Sequence, residues 1–186
     1  LQGSTFVAGC SVAGKVASFA NLAIVALSST MTVFSGQNLG AKNYRRLCRG
    51  AWLMPLCAGA ATLVAGVFVT IFCQPLLALF TRDAAVLAYA IRYIHIVLPF
   101  TWMYAVMNVI MCFANGIGEI RYPTIVNLFI LWGVRIPVAY LLSRFGYGGY
   151  AMASVPFSFF SGMILMLFYF RTKRWAELRA RAKNEP

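Results

Sequence analysis

The sequence predicts an all-α integral membrane protein, a helical bundle of about five transmembrane helices, and three observations predict it. Of the 186 residues, 61% are hydrophobic and only 11% charged, with a mean hydropathy of +0.77. Water-soluble domains carry about 25% charged residues, so too few are present here to wet a compact surface. Five apolar runs reach the roughly 20 residues that a helix needs to cross a bilayer. The alternating strands of about ten residues that build a transmembrane barrel are absent. The 15% aromatic content, with only Asp83, Glu119, Glu177 and Glu185 as acids, excludes disorder and an acidic tail.

The first span runs over about 6–35 and is interrupted only by Lys15. The second, 51–73, carries no charge, and its small residues Ala58, Gly59, Ala61, Ala65 and Gly66 predict close helix packing. The third, 86–115, holds Arg92 and His95 near its start and Pro99 in its course. The fourth, 124–143, contains Arg135 and Pro137, and the fifth, 150–170, is again uncharged. Pro99 and Pro137 remove backbone hydrogen bonds and predict bends. Turn chemistry marks the connectors: Gly36-Gln37-Asn38-Leu39-Gly40, Gln74-Pro75, Asn115-Gly116-Ile117-Gly118 and Phe145-Gly146-Tyr147-Gly148-Gly149. Residues 74–83 read as a short interfacial turn or helix. The bundle thus covers 1–170, and 171–186 form a basic tail.

Basic residues orient the bundle. Lys42, Arg45, Arg46, Arg49, Arg121, Arg171, Lys173, Arg174, Arg179, Arg181 and Lys183 fall on one side, against Arg82 and Arg144 on the other. Eleven against two predicts that the first side is cytoplasmic, with Pro186 inside. The tail reads as a helix on anionic headgroups, anchored by Trp175 and Leu178. The net charge of +12 is therefore assigned to a lipid bilayer partner, and no nucleic acid is expected. The chain begins at Leu1, with no basic stretch or cleavage site ahead of its first apolar run. It is expected to belong to a longer polypeptide.

Hydrolytic chemistry finds no residues. His95 is the one histidine and no span holds an acid, so neither a catalytic triad nor a carboxylate–histidine metal site can be assembled. Five scattered cysteines without a C-x-x-C pair favour small buried apolar roles over disulfides. No enzyme, cofactor or resident metal is expected. The charges within the spans are more informative. A Lys or Arg at mid-bilayer costs about 2.5–3.5 kcal/mol and so faces a cavity or a partner. Arg135 lies roughly 17 Å into its span from the basic side. One reading joins Lys15, Arg92, His95 and Arg135 in a vestibule opening away from the basic side. The other has Lys15 and Arg92 snorkelling to headgroups and Arg135 bonding carbonyls freed by Pro137. Asn21, Asn108 and Asn127, with Trp102 and Tyr104, are polar positions that bond neighbouring helices or face a pathway.

Gly36-Gln37-Asn38-Leu39-Gly40-Ala41, followed by Lys42-Asn43-Tyr44-Arg45-Arg46, resembles the signature loop of the multidrug and toxic compound extrusion (MATE) family. Asn115-Gly116-Ile117-Gly118-Glu119, with Pro123 and Asn127 behind it, is similar to a later loop of that family, Glu119 departing from its usual Gly-Asp pair. Trp132-Gly133-Val134-Arg135-Ile136-Pro137 resembles the next helix, particularly in the DNA-damage-inducible branch. Gly148-Gly149, Lys173-Arg174-Trp175 and the opening Ala8-Gly9-Cys10-Ser11-Val12-Ala13 also fit.

The resemblance implies the C-terminal part of a twelve-helix, two-lobed transporter, helices eight to twelve, whose missing N-terminal lobe is a partner. It implies antiport that exports drugs or other amphipathic small molecules across the inner (cytoplasmic) membrane, with Na+ or H+ as coupling ion. The loop residues Gly36, Gln37, Asn38, Gly40 and Ala41 carry the family motif. The substrate-pathway candidates are Lys15, Arg92, His95, Asn108, Asn127 and Arg135. No acid stands in the counterpart of the tenth helix, so no ion-binding residue is carried over. A lipid-linked oligosaccharide flippase of the same superfamily and a non-transporting membrane scaffold remain as alternatives.

Overall fold

A computed structural model of the chain describes residues 2–81, 83–144 and 153–184, and of residues 2–6, 19, 20 and 143 the backbone alone. Arg82, the connector 145–149 with Gly148 and Gly149, the first residues of the fifth predicted span and Pro186 lie outside the described residues. The described chain is helical throughout: α1 (Gln2–Gly40), α2 (Tyr44–Ile71), α3 (Cys73–Ala78), α4 (Ala84–Val97), α5 (Thr101–Gly116), α6 (Arg121–Leu128), α7 (Ile136–Arg144), α8 (Ser154–Phe168) and α9 (Lys173–Lys183). A 3-10 turn at Leu98–Phe100 joins α4 to α5, and a π turn at Phe129–Arg135 joins α6 to α7.

Four candidate membrane spans follow, or five if the bent α1 is counted as one span. The stretches Tyr44–Ile71, Ala84–Gly116, Arg121–Leu142 and Ser154–Arg171 are each long and apolar enough to cross. The fifth is α1, bent by 47° between Val7–Ser18 and Asn21–Gly40. Large apolar side chains stand fully outward, among them Val64, Ile71, Leu79, Ile125 and Trp132. In water so much exposed apolar surface would drive aggregation, whereas a bilayer solvates it. Hydroxyls along these helices donate to carbonyls one turn back, as from Ser11 to Val7, Ser29 to Val25 and Thr70 to Gly66. That arrangement satisfies them without water.

The core splits into two clusters. One gathers Ile24, Met31, Leu47, Ile110, Phe113, Met166, Tyr169, Trp175 and Leu178 toward the basic end; the other gathers Ala13, Val16, Cys73, Leu77, Ile94 and Leu98. Helix α5 packs against α1, α2 and α8, and small residues set the approach. A Cβ on Gly59 of α2 would lie 2.8 Å from Val106 Cγ2, and one on Gly116 would overlap the Ser35 hydroxyl and sit 2.5 Å from the Thr32 carbonyl. Ala58, Gly59 and Gly66 are buried as predicted, while Ala61 is exposed.

Two expectations are corrected. The stretch 36–40 is not a loop, since α1 continues through Gly40 and the chain reverses at Lys42 (φ 58). There the Asn43 N–H donates to the Asn38 carbonyl (2.9 Å) and the Lys42 N–H to the Leu39 carbonyl (3.1 Å), a Schellman closure that uses up the free carbonyls of the helix end. The same closure ends α5, with Gly118 (φ +84) at the left-handed position and bonds from Glu119 to Ala114 and from Gly118 to Asn115. The second correction concerns α9. Trp175 and Leu178 are each only 2% exposed, so they are sunk in the bundle rather than free to anchor in headgroups. Trp175 packs edge-on against Phe113 and Phe170, Arg181 donates to the Tyr44 hydroxyl (3.3 Å), and Arg174 pairs with Glu119 (4.0 Å) and Glu177 (3.5 Å).

Candidate functional site

Two changes of helix type and one helix bend meet at one level of the bundle. The bend of α1 falls next to Asn21, the 3-10 turn holds Pro99, and the π turn ends at Arg135, two residues before Pro137. Each proline lacks an N–H and crowds the carbonyl four residues earlier, which explains the local change of helix type at both. Between these breaks and the start of α8 opens a cavity of about 220 Å3 lined by Ala17, Asn21, Tyr93, Val97, Leu98, Thr101, Tyr104, Arg135, Val155 and Phe159. Broken backbone at membrane depth is tolerated where it lines such a cavity.

The spacing of Tyr93, Val97, Thr101 and Tyr104 is four, four and three, one continuous face across α4, the turn and α5. Ala17 and Asn21 are one turn apart on α1, and Val155 and Phe159 one turn apart on α8. Tyr104 stacks at a tilt on Phe159, 5.0 Å between ring centres. Thr101 donates its hydroxyl to the Val97 carbonyl (3.3 Å). Among the described residues, Arg135 makes no ion pair and no hydrogen bond to a carbonyl, and no acid lines the cavity.

The other candidates lie elsewhere. His95 lines a separate, apolar cavity of about 480 Å3 with Ile96, Phe100, Met103, Pro156, Phe157 and Phe160. Its Nδ1 bonds the Ile91 carbonyl at 2.9 Å, and because a carbonyl only accepts, Nδ1 carries the proton. Lys15 is exposed two residues before Ala17, about 200° around the helix from the cavity face. Arg92 is also exposed. The three cations and the histidine of the expected vestibule are therefore not brought into one cavity; Arg135, itself exposed, is the one of the four that lines the polar cavity. Asn108, half-buried on α5, lies within 4.0 Å of the Cys112 thiol. Asn127 lines a third cavity, near the basic end, with Met111, Asn115, Ile120, Pro123, Thr124 and Leu128.

The motif residues Gly36, Gln37, Asn38, Gly40 and Ala41 build the capped end of α1. Asn38 is buried and donates its amide to the Phe34 carbonyl (2.7 Å), and Gly36 comes close to the backbone of Gly116. The two motif segments, at the ends of α1 and α5, are thus packed on each other, and the Thr32 hydroxyl lies 3.3 Å from the Cys112 carbonyl across the same seam. No three His, Cys, Asp or Glu side chains come together to hold a metal among the described residues.

Broken spans around a polar cavity, in a bundle that exposes an apolar belt, define a multi-pass membrane protein of transporter architecture. The MatE family model matches residues 1–141, and the chain belongs to that family. It is similar to the probable multidrug resistance protein YoeA of Bacillus subtilis (strain 168), 29% identical over 147 residues, which are 77% of this chain and 31% of that protein. It is also similar to the probable multidrug resistance protein NorM of Halalkalibacterium halodurans, 25% identical over 158 residues, 85% of this chain and 33% of the relative. The NorM of Thermotoga maritima is 22% identical over 148 residues, 78% and 31% of the two chains. The chain thus spans about a third of the length of the curated relatives it matches. A solved inward-facing multidrug resistance MATE family transporter of the MOP superfamily shares the fold, with a TM-score of 0.73 at 17% identity over 100% of this chain and 44% of that one.

Proposed function

We propose that this chain is the C-terminal part of a secondary active exporter that moves drugs or other amphipathic organic compounds outward across the cytoplasmic membrane, in exchange for Na+ or H+. The reading makes it a transporter and not an enzyme, working with an N-terminal lobe and with the end that bears α9 in the cytoplasm. The observation that carries it is the convergence of three helix breaks on one polar cavity, in a chain whose relatives bear the name of multidrug resistance proteins. Backbone that is already irregular can change its dihedral angles with little loss of hydrogen bonding, so these breaks are places where spans can flex during transport. The eleven basic residues at one end support the orientation.

The test is accumulation of amphipathic dyes of either charge, ethidium and fluorescein among them, in cells that lack their own efflux pumps, with and without the full-length protein. Lower steady-state accumulation is expected with the protein, restored when either the Na+ gradient or the pH gradient is collapsed. The gradient whose loss abolishes export identifies the coupling ion. Equal accumulation in both strains for ethidium and for a panel of other amphipathic compounds overturns the reading.

A further inference from the structure

The cavity at Arg135 has a chemistry that a site for a cationic compound would not need. Its polar lining consists of the Arg135 guanidinium, the Asn21 amide and the hydroxyls of Tyr93, Thr101 and Tyr104. The Thr101 hydroxyl is engaged by the Val97 carbonyl; the guanidinium, the amide and the two phenols hold no hydrogen bond among the described residues. All four of those groups can donate. The acids Asp83, Glu119 and Glu177 are absent from the lining, so no acid among the described residues neutralises the charge of Arg135 there. Asp83 caps the start of α4, and Glu119 and Glu177 are taken up at the basic end by Arg174.

We propose that this cavity receives the anionic group of a ligand, a carboxylate or phosphate carried on an amphipathic body. The assignment rests on the exporter reading for its place in a transport path and narrows the substrate class of the same site. A planar guanidinium grips a carboxylate or phosphate oxygen pair with two parallel hydrogen bonds. Phenol and amide donors complete the shell around the remaining lone pairs. The volume of about 220 Å3 accommodates such a group together with several waters, each of which needs about 30 Å3. The apolar part of the ligand would lie against Val97, Leu98, Val155 and Phe159, which form the rest of the wall. A structural role for Arg135, bonding carbonyls freed by Pro137, is not what the side chain does: it bonds none of them.

Binding of fluorescein, an aromatic carboxylate, to the purified full-length protein in a neutral detergent tests this without requiring transport. Saturable binding, read as fluorescence anisotropy and competed by benzoate, is expected. Arg135→Gln is expected to weaken it by about tenfold or more, the loss of a charge-assisted hydrogen-bond pair. Arg135→Lys should retain part of the affinity, and Tyr104→Phe should weaken binding while leaving the core intact. Arg179→Gln, exposed on α9 and outside the cavity lining, should leave it unchanged. Repeating the titration in nanodiscs of phosphatidylglycerol and of phosphatidylcholine separates sources of the anion. Loss of fluorescein binding in phosphatidylglycerol alone assigns the site to a lipid headgroup, and equal binding in both assigns it to a soluble anion; either supports an anion site.

No saturable binding, or binding equal in wild type, Arg135→Gln and Tyr104→Phe, overturns the inference. Export of ethidium by a protein that fails to bind fluorescein overturns it while leaving the exporter reading in place. Arg135-dependent binding by a protein that exports nothing leaves the anion site standing and removes the exporter reading.

Discussion

Lys42 holds a left-handed backbone conformation (φ 58) at the point where α1 turns back into α2, and an L side chain there costs about 1–2 kcal/mol relative to glycine. The equivalent position at the end of α5 is Gly118. Lys42→Gly is therefore expected to stabilise the full-length protein by about 0.5–1 kcal/mol, the gain being reduced by the greater freedom of glycine in the unfolded chain. A melting curve in detergent checks it, and an unchanged or lowered midpoint would show that the reversal is not strained. The turn residues around 36–43 were legible in the sequence, but their place in the turn was not. Glycines at 36 and 40 suggested the reversal, whereas Gly36 serves the close approach of α1 to Gly116 and the reversal itself falls on a lysine. Which of several candidate residues takes the left-handed position is decided by where the helix finds its last packing partner, a tertiary matter.

Elements were read more securely than their joints. Apolar run length pointed to the long apolar helices that the described residues form, because crossing about 30 Å of hydrocarbon imposes a length that soluble packing does not. Pro99 and Pro137 announced the breaks, though the kind of break, a tight 3-10 turn in one case and a wide π turn in the other, depended on neighbours. The small-residue reading of α2 was right where α5 lies against it and wrong at Ala61, which faces outward. The seam between α1 and α5 makes the corresponding prediction. Gly116→Ala places a Cβ against the Ser35 hydroxyl and 2.5 Å from the Thr32 carbonyl, and displaced backbone of this kind typically costs about 1–3 kcal/mol. Gly14→Ala, with nothing within 4 Å of the new atom, is expected to leave stability unchanged or raise it by about 0.5–1 kcal/mol. Equal melting temperatures for the two variants would show that the seam is looser than drawn.

Across the whole molecule, the cavity was half legible. Arg135 stood out as a charge deep in a span, and the face of Tyr93, Thr101 and Tyr104 could have been found by applying helical spacing across Pro99. Helical spacing alone turns Lys15, Arg92 and His95 away from the faces of Ala17 and Tyr93; that Asn21 joins Tyr93, Thr101 and Tyr104 follows from how α1, α4 and α8 cross, which no local pattern encodes. The same holds for the tail. Its charge pattern indicated a membrane-surface helix, yet Trp175 and Leu178 fill the space where α2, α5 and α8 end together. Trp175→Ala is accordingly expected to lower stability by about 3–5 kcal/mol, read by thermal unfolding in detergent, where a lipid anchor would show almost no change. Trp175 and Leu178 thus fasten α9 to the bundle. If these helices rock together, as the proposed exporter requires, a spin label or dye fixed to the outer side of α9 would move with them and serve as a built-in pointer to how far they tilt.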